Sequence, residues 1–227
     1  MNLSSADTTT RIVLIHATTV SISPIKVAFE AQWPEAETIN LVDDSLSLDL
    51  NSGKVDYRRI EERILGLAKY GGGIGAAGIL FTCSAFGQAI DKAKAQLPIP
   101  VLKPNEAMFE EAIRMGGKTG MIATFRPSIP SMEKEFYDLA EEQNVSVQLD
   151  SILVEDAMAA LGQGDLETHN RLIREASTVL AGYETVMLAQ FSASQAAADV
   201  EAELGCTVLT SPHSAVTKLQ GLLADRK

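Results

Sequence analysis

Positions 107 residues apart match in order along this chain. Ile15 pairs with Ile122, Ser21 with Ser128, Ile22 with Ile129 and Phe29 with Phe136. Later Gln88 pairs with Gln195, Ala89 with Ala196, Ala95 with Ala202, Leu97 with Leu204, Val101 with Val208 and Leu102 with Leu209. Between these stretches Leu41-Val42-Asp43-Asp44 resembles Leu153-Val154-Glu155-Asp156 at a slightly longer shift. A repeat of this length predicts two similar lobes related by a pseudo-twofold axis. The 227 residues are enough to bury a core in both.

Short apolar runs alternate with amphipathic stretches. Strands are predicted over 11–16, 38–42, 78–82, 100–102, 119–124, 145–154, 185–189 and 207–210. Helices are predicted over 24–33, 57–70, 88–97, 106–115, 130–142, 166–181, 194–204 and 214–223. Strand then helix, repeated, predicts an α/β fold of two pseudo-symmetric parallel-sheet lobes with the active site in the cleft between them. The expected organisation is a disordered tail over 1–10, a first lobe over 11–104 completed by 213–227, and a second lobe over 105–212.

In open α/β sheets ligands bind beyond the carboxyl ends of the strands. That rule selects His16, Asp43, Cys83 and Lys103 in the first half, and Thr124, Asp156, Gln190 and Ser211 in the second. Cys83 ends an apolar strand and precedes Ser84-Ala85-Phe86-Gly87 at a helix start. Backbone N–H groups at such a turn favour a thiolate and offer donors to a carboxylate or an enolate. Cys206 lies four residues before the end of its strand, about 13 Å away, and reads as a core residue. With two cysteines no disulfide framework is expected.

Composition bears on what this site meets. The net charge is −11 and no basic block occurs, so nucleic acid is not an expected partner. No apolar run reaches membrane-spanning length, and the segment MNLSSADTTTR lacks a signal-peptide pattern. A reducing cytoplasm is the expected compartment. The glycines at 71–73 and 75 follow a helix and precede a strand, the wrong order for a phosphate loop, and read as a helix end. No His, Cys and carboxylate spacing suits a metal.

The Thr82-Cys83-Ser84-Ala85 turn, Pro98-Ile99-Pro100-Val101-Leu102, Gly120-Met121-Ile122-Ala123-Thr124 and Val186-Met187-Leu188-Ala189-Gln190 together resemble the aspartate/glutamate racemase superfamily. That group includes hydantoin racemase, maleate isomerase and arylmalonate decarboxylase. The resemblance runs from Arg11 to about Leu223. It implies a cofactor-free and metal-free enzyme acting beside the carboxylate of a small molecule, and it makes a homodimer the expected assembly. Its racemases set two cysteines on opposite faces of the substrate. Cys83 matches the first, while Gln190 stands where the second belongs, which is also the position the internal repeat pairs with Cys83. An amide moves no proton near neutral pH, so a symmetric two-thiol racemase is in doubt.

Three readings stay open. The first is a racemase or isomerase using Cys83, with His16 or His213 in place of the second thiol, or with Cys83 as a nucleophile on a double bond. The second is a decarboxylase of a malonate-like diacid using one cysteine. In arylmalonate decarboxylase that cysteine belongs to the second-half position, so this chain would be its mirror arrangement. The third is a small-molecule binding protein without turnover. Candidate substrate contacts are His16, Ser84, Ala85, Thr124, Phe125, Arg126, Gln190, Phe191 and Ser192, with Arg126 suited to a carboxylate. Asp43 and Asp44 read as site or cap residues, and His169 as a solvated helix residue.

Overall fold

The computed structural model describes residues 9–225, so the first eight residues of the expected tail lie outside it. Among the described residues there are eight strands and ten α-helices. The strands are β1 (Arg11–His16), β2 (Glu37–Val42), β3 (Gly78–Phe81), β4 (Val101–Leu102), β5 (Lys118–Ala123), β6 (Gln148–Leu153), β7 (Thr185–Leu188) and β8 (Thr207–Thr210). The helices are α1 (Ile22–Gln32), α2 (Ser45–Ser52), α3 (Tyr57–Gly73), α4 (Gly87–Lys94), α5 (Glu106–Met115), α6 (Ile129–Glu142), α7 (Glu155–Gly162), α8 (Leu166–Ser177), α9 (Ala197–Leu204) and α10 (Ser211–Ala224).

The strands form two parallel sheets, ordered β2-β1-β3-β4 and β6-β5-β7-β8. The repeat extends to hydrogen-bond register. Ile12 pairs with Gly78 and Thr119 with Thr185; Ile79 pairs with Val101 and Val186 with Val208. All four partners are displaced by the same 107 residues. The edge strands differ. His16 faces Val42 and Ala123 faces Leu153, so Val42, not the expected Leu41, is the mate of Leu153.

Covering both faces of each sheet explains the continuous apolar strands. In the first sheet Val13, Ile15, Ile79, Phe81 and Val101 meet Ile60, Ile64 and Ala68 of α3, Ala89, Ile90 and Ala93 of α4, and Leu46 of α2. Ile12, Leu14, Leu80 and Leu102 meet α1 and α10 on the other face. In the second sheet Met121, Ala123, Met187 and Leu209 meet α5 and α6. Ile122, Val186 and Leu188 meet α7, α8 and α9.

Two helices cross over. α5 follows β4 of the first sheet and packs on the second, through Met108, Phe109, Ala112 and Ile113. α10 follows β8 of the second sheet and packs on the first, through Ala215, Val216 and Leu219. α5 and α10 also touch each other, so the lobes are joined by exchanged helices rather than by a linker.

Two helices, α2 and α7, were not predicted. In α2 the leucines alternate as Leu46, Leu48 and Leu50, a strand-like period, and only Leu46 is buried. α7 is Glu-Asp-Ala-Met-Ala-Ala-Leu-Gly, with little polar contrast between its faces. His169, expected in solvent, is fully buried, because the face of α8 that carries it packs inward with Ile173 and Ser177. No helix among the described residues is long and apolar enough to cross a membrane.

Candidate active site

β1 and β3 are central neighbours, so the residues at their carboxyl ends are pressed together. His16 ends β1 and is fully buried. Its Nδ1 lies 3.0 Å from Ser21 Oγ and 2.9 Å from Thr82 Oγ1, and these two hydroxyls are 2.8 Å apart. Its Nε2 lies 2.9 Å from Asn40 Oδ1 on β2. The tautomer that satisfies the set has Nε2–H donating to Asn40 and Nδ1 accepting from a hydroxyl. Burial lowers the His16 pKa, against the hydrogen bond to Asn40, so the ring is neutral. Both nitrogens are engaged inside the protein.

Cys83 follows Thr82 directly. Its backbone is extended, with φ −122° and ψ 122°, and a short 3-10 turn over Ser84–Phe86 leads into α4. The thiol is half-buried and packs against the cluster that holds Ala17, Leu46 and Phe86. Burial pushes its pKa up, against weaker opposing influences from the nearby Ala85 N–H and Ser47 hydroxyl. The sequence led us to expect a lowered thiol pKa. Desolvation wins instead, and Cys83 rests as the protonated thiol at neutral pH.

The equivalent corner of the second lobe is built differently. Gln190, the mate of Cys83, turns its side chain into its own lobe. Its Oε1 accepts from the Thr124 N–H at 2.8 Å and from Thr124 Oγ1 at 3.3 Å. Its Nε2 donates to Ser128 Oγ at 3.1 Å. Ser128 in turn donates to the Phe125 carbonyl at 2.8 Å, as its mate Ser21 does to Thr18 at 3.3 Å. The repeated serine is thus the same anchor in both lobes.

The other expected contacts divide. Ser84 and Ala85 are partly exposed and border a groove of about 730 Å³ between α4 and α6. The groove does not include Cys83 or Gln190 in its lining. Phe125 is exposed, and Arg126 is exposed with its guanidinium 3.5 Å from Glu155. Phe191 is buried in the first lobe's core beside Leu80, Leu102 and Val216, and Ser192 is buried behind it. His213 is exposed and bonded through Nδ1 to Thr210 Oγ1 at 2.9 Å. Asp43 binds Arg63 of α3 at 2.6 Å.

The remaining strand ends hold the lobes together. Lys103 reaches Asp91 of α4 at 3.3 Å and Glu135 of α6 at 3.2 Å. Glu106, almost fully buried, binds Lys218 of α10 at 2.8 Å and Lys94 at 3.1 Å. Burial alone would raise the Glu106 pKa, but these ammonium groups hold it down. Ser211 donates to Asn105 Oδ1 at 2.7 Å beneath the crossing helices. Among the described residues no group of three or more His, Cys, Asp or Glu side chains could hold a metal ion.

Sequence reasoning missed three participants. Ser47 lies on the unpredicted α2. Thr82 was read only as a flank of Cys83. Ser21 carried a signal, because the repeat pairs it with Ser128.

The family model for Asp/Glu/Hydantoin racemase matches residues 12–219. The chain belongs to the Asp/Glu/Hydantoin racemase family. Solved structures agree on the fold of this family member. A glutamate racemase isoform from Bacillus anthracis superposes with a TM-score of 0.73 at 15% identity, covering 96% of this chain and 82% of that one. An aspartate racemase homologue from Pyrococcus horikoshii gives 0.69 at 18%, covering 94% and 99%. An allantoin racemase from Klebsiella pneumoniae gives 0.65 at 17%, covering 96% and 89%. A comparison with curated protein sequences finds no match. Against its racemase family, the telling feature of this member is a thiol in one lobe and a tied amide in the other.

Proposed function

We propose that this racemase-family chain is a cofactor-independent isomerase acting beside the carboxylate of a small acid, with Cys83 as its one catalytic thiol. The observation that carries the reading is the pairing of a protonated thiol at the end of β3 with a Gln190 whose amide is spent on Thr124 and Ser128. A two-base proton swap needs a second group on the opposite face. His16 has both nitrogens engaged, and His213 is exposed and bonded to Thr210. One thiol suffices when it adds across a double bond conjugated to the carboxylate. Sulfur bonds one carbon, its proton goes to the other, the resulting single bond rotates, and reversal expels the thiol. N–H groups of the turn after Cys83 would stabilise the carboxylate as its charge grows.

A second reading is decarboxylation of a malonate-like diacid. The resting thiol favours it, because loss of CO₂ leaves an enediolate that needs a single proton donor.

Both are tested in D₂O with α-amino acids, hydantoins, cis-unsaturated diacids and substituted malonates. Proton NMR reads double-bond geometry and deuterium uptake, polarimetry reads racemisation, and a CO₂ assay reads decarboxylation. Isomerisation abolished in Cys83→Ser supports the first reading. CO₂ with one deuterium per product supports the second. Full turnover in Cys83→Ser sinks both. Ligand binding without turnover, unchanged in Cys83→Ala, would show a binding protein.

A further inference from the structure

Ser84 and Phe191 are mates in the 107-residue repeat, and each opens the turn beyond a strand end. The turn after Cys83 touches α6, as the matching turn of the second lobe touches α1. The two sides are closed differently. Phe191 is 3% exposed, inserted among Ile25, Phe29, Leu80 and Leu102 of the facing lobe. Ser84 inserts nothing. It borders the groove of about 730 Å³ between α4 of the first lobe and α6 of the second. Cys83 does not line that groove, so the open space stops one residue short of the thiol.

A single ion pair spans the gap beside this turn. Lys103, at the end of β4, is anchored by Asp91 of its own lobe at 3.3 Å and reaches Glu135 of α6 at 3.2 Å. The Lys103 and Glu135 side chains are each 15% exposed. Glu135 Oε1 is buried without an aligned hydrogen bond, so the ammonium charge alone holds it. Parting the lobes here would return both charges to water, so the pair breaks at small cost. Glu106 binds Lys94 and Lys218 at the root of α5, where the chain itself crosses between the lobes.

The other side of the pseudo-twofold axis has no counterpart to this pair. The repeat sets Thr210 in place of Lys103, Ala198 in place of Asp91 and Ala28 in place of Glu135. The lobes are thus joined by an apolar plug on one side and by a charge pair on the other.

We propose that the Lys103–Glu135 pair is a latch: the lobes part on the α4–α6 side by pivoting about the Phe191 plug, and the pair holds them closed over Cys83. The inference rests on Cys83 being the reactive thiol, but its test reads access rather than turnover. In a Cys206→Ser background, Cys83 alkylation is timed with iodoacetamide and with a neutral iodoacetamide carrying a pyrene. The ratio of the two rates, large reagent over small, cancels any change in thiol pKa and reports opening of the groove. Glu135→Gln and Lys103→Met are each expected to raise the ratio about three- to fivefold, the shift one such ion pair can impose on an open–closed balance. Lys103→Arg keeps a cation across the gap and is expected to stay within about 1.5-fold of the parent. Asp138→Asn removes a groove carboxylate that pairs with Lys134 along α6 and not across the gap, and is expected to leave the ratio unchanged.

An unmoved ratio in folded Glu135→Gln overturns the latch. So does an equal rise in Asp138→Asn, which would make the effect one of groove charge. If Glu135→Gln does not fold, Lys103→Met compared with Lys103→Arg decides alone. Failure of the Cys83 reading looks different: turnover would survive Cys83→Ser whatever the ratio shows.

Discussion

The two lobes share strand order and register, yet their inner corners differ at three matched positions. Cys83 faces the repeat as Gln190, Ser84 as Phe191, and His16 as Ala123. In the first lobe the polar network sits one residue back, in His16, Thr82 and Ser21, and the residue at the corner stays out of it. In the second lobe the corner residue is itself the network, because Gln190 takes up both Thr124 and Ser128. The following residue then decides access. Ser84 is small and borders open space, whereas Phe191 plugs into the core of the other lobe. On the proposed reading, the repeated scaffold carries one reactive corner and one structural corner. No new fold was needed, because side chains at strand ends can change without disturbing the sheets below.

The largest expected effect tests the reactive corner. Cys83→Ser should lower turnover by at least about 10³-fold, the scale of losing a group that transfers a proton or bonds the substrate. Its thermal unfolding should stay close to wild type, since the thiol is only half-buried. A loss of less than tenfold in kcat would end the claim that the lobes differ in chemistry.

Phe191→Ala tests the structural corner. It removes a nearly fully buried ring from the cluster of Ile12, Leu80 and α10. The expected cost is about 3–5 kcal/mol, with a fall in Tm on the order of 10 °C. Calorimetry or denaturant unfolding measures it. A change under about 1 kcal/mol would mean that this turn does not hold the lobes together.

Gln190→Ala is a smaller perturbation of the same corner. It leaves the Thr124 N–H and the Ser128 hydroxyl without their partner, at an expected cost of about 1–3 kcal/mol. Stability unchanged in urea would show that Gln190 is free to serve a ligand instead of the lobe.

Much of this contrast is legible in the sequence. The 107-residue repeat predicts two matching lobes, and the structure repeats the β1–β3 and β3–β4 pairings at that same displacement. It also names Gln190 as the mate of Cys83. What stayed hidden is what periodicity cannot carry. α2 went unpredicted because its leucines alternate instead of forming a helical stripe, so no residue on it was a candidate. Nothing local in Phe191 marks it as a plug, since its contacts come from β1, β3 and α10, far away in sequence. The expected thiol shift had the wrong sign because turn geometry is local, whereas desolvation depends on everything packed around the sulfur.

The smallest effect distinguishes the corners by titration. The first lobe's network contains an imidazole and the second lobe's contains only an amide and hydroxyls. Burial lowers the His16 pKa, so the folded chain holds this ring neutral where the unfolded chain would protonate it. Its contribution is therefore present above the unfolded value near about 6.5, and is lost as pH falls below it. His169 is shifted the same way by burial and adds to the slope. Between about pH 6.5 and 5.5 the wild type should therefore lose stability. His16→Gln should lessen that loss. Gln190→Ala should leave the loss as it is, because nothing in the second lobe's network titrates there. Urea unfolding at three pH values reads both slopes. Equal slopes in wild type and His16→Gln would mean that the first lobe's network accepts a proton in place, and the contrast between the corners would then rest on the thiol alone.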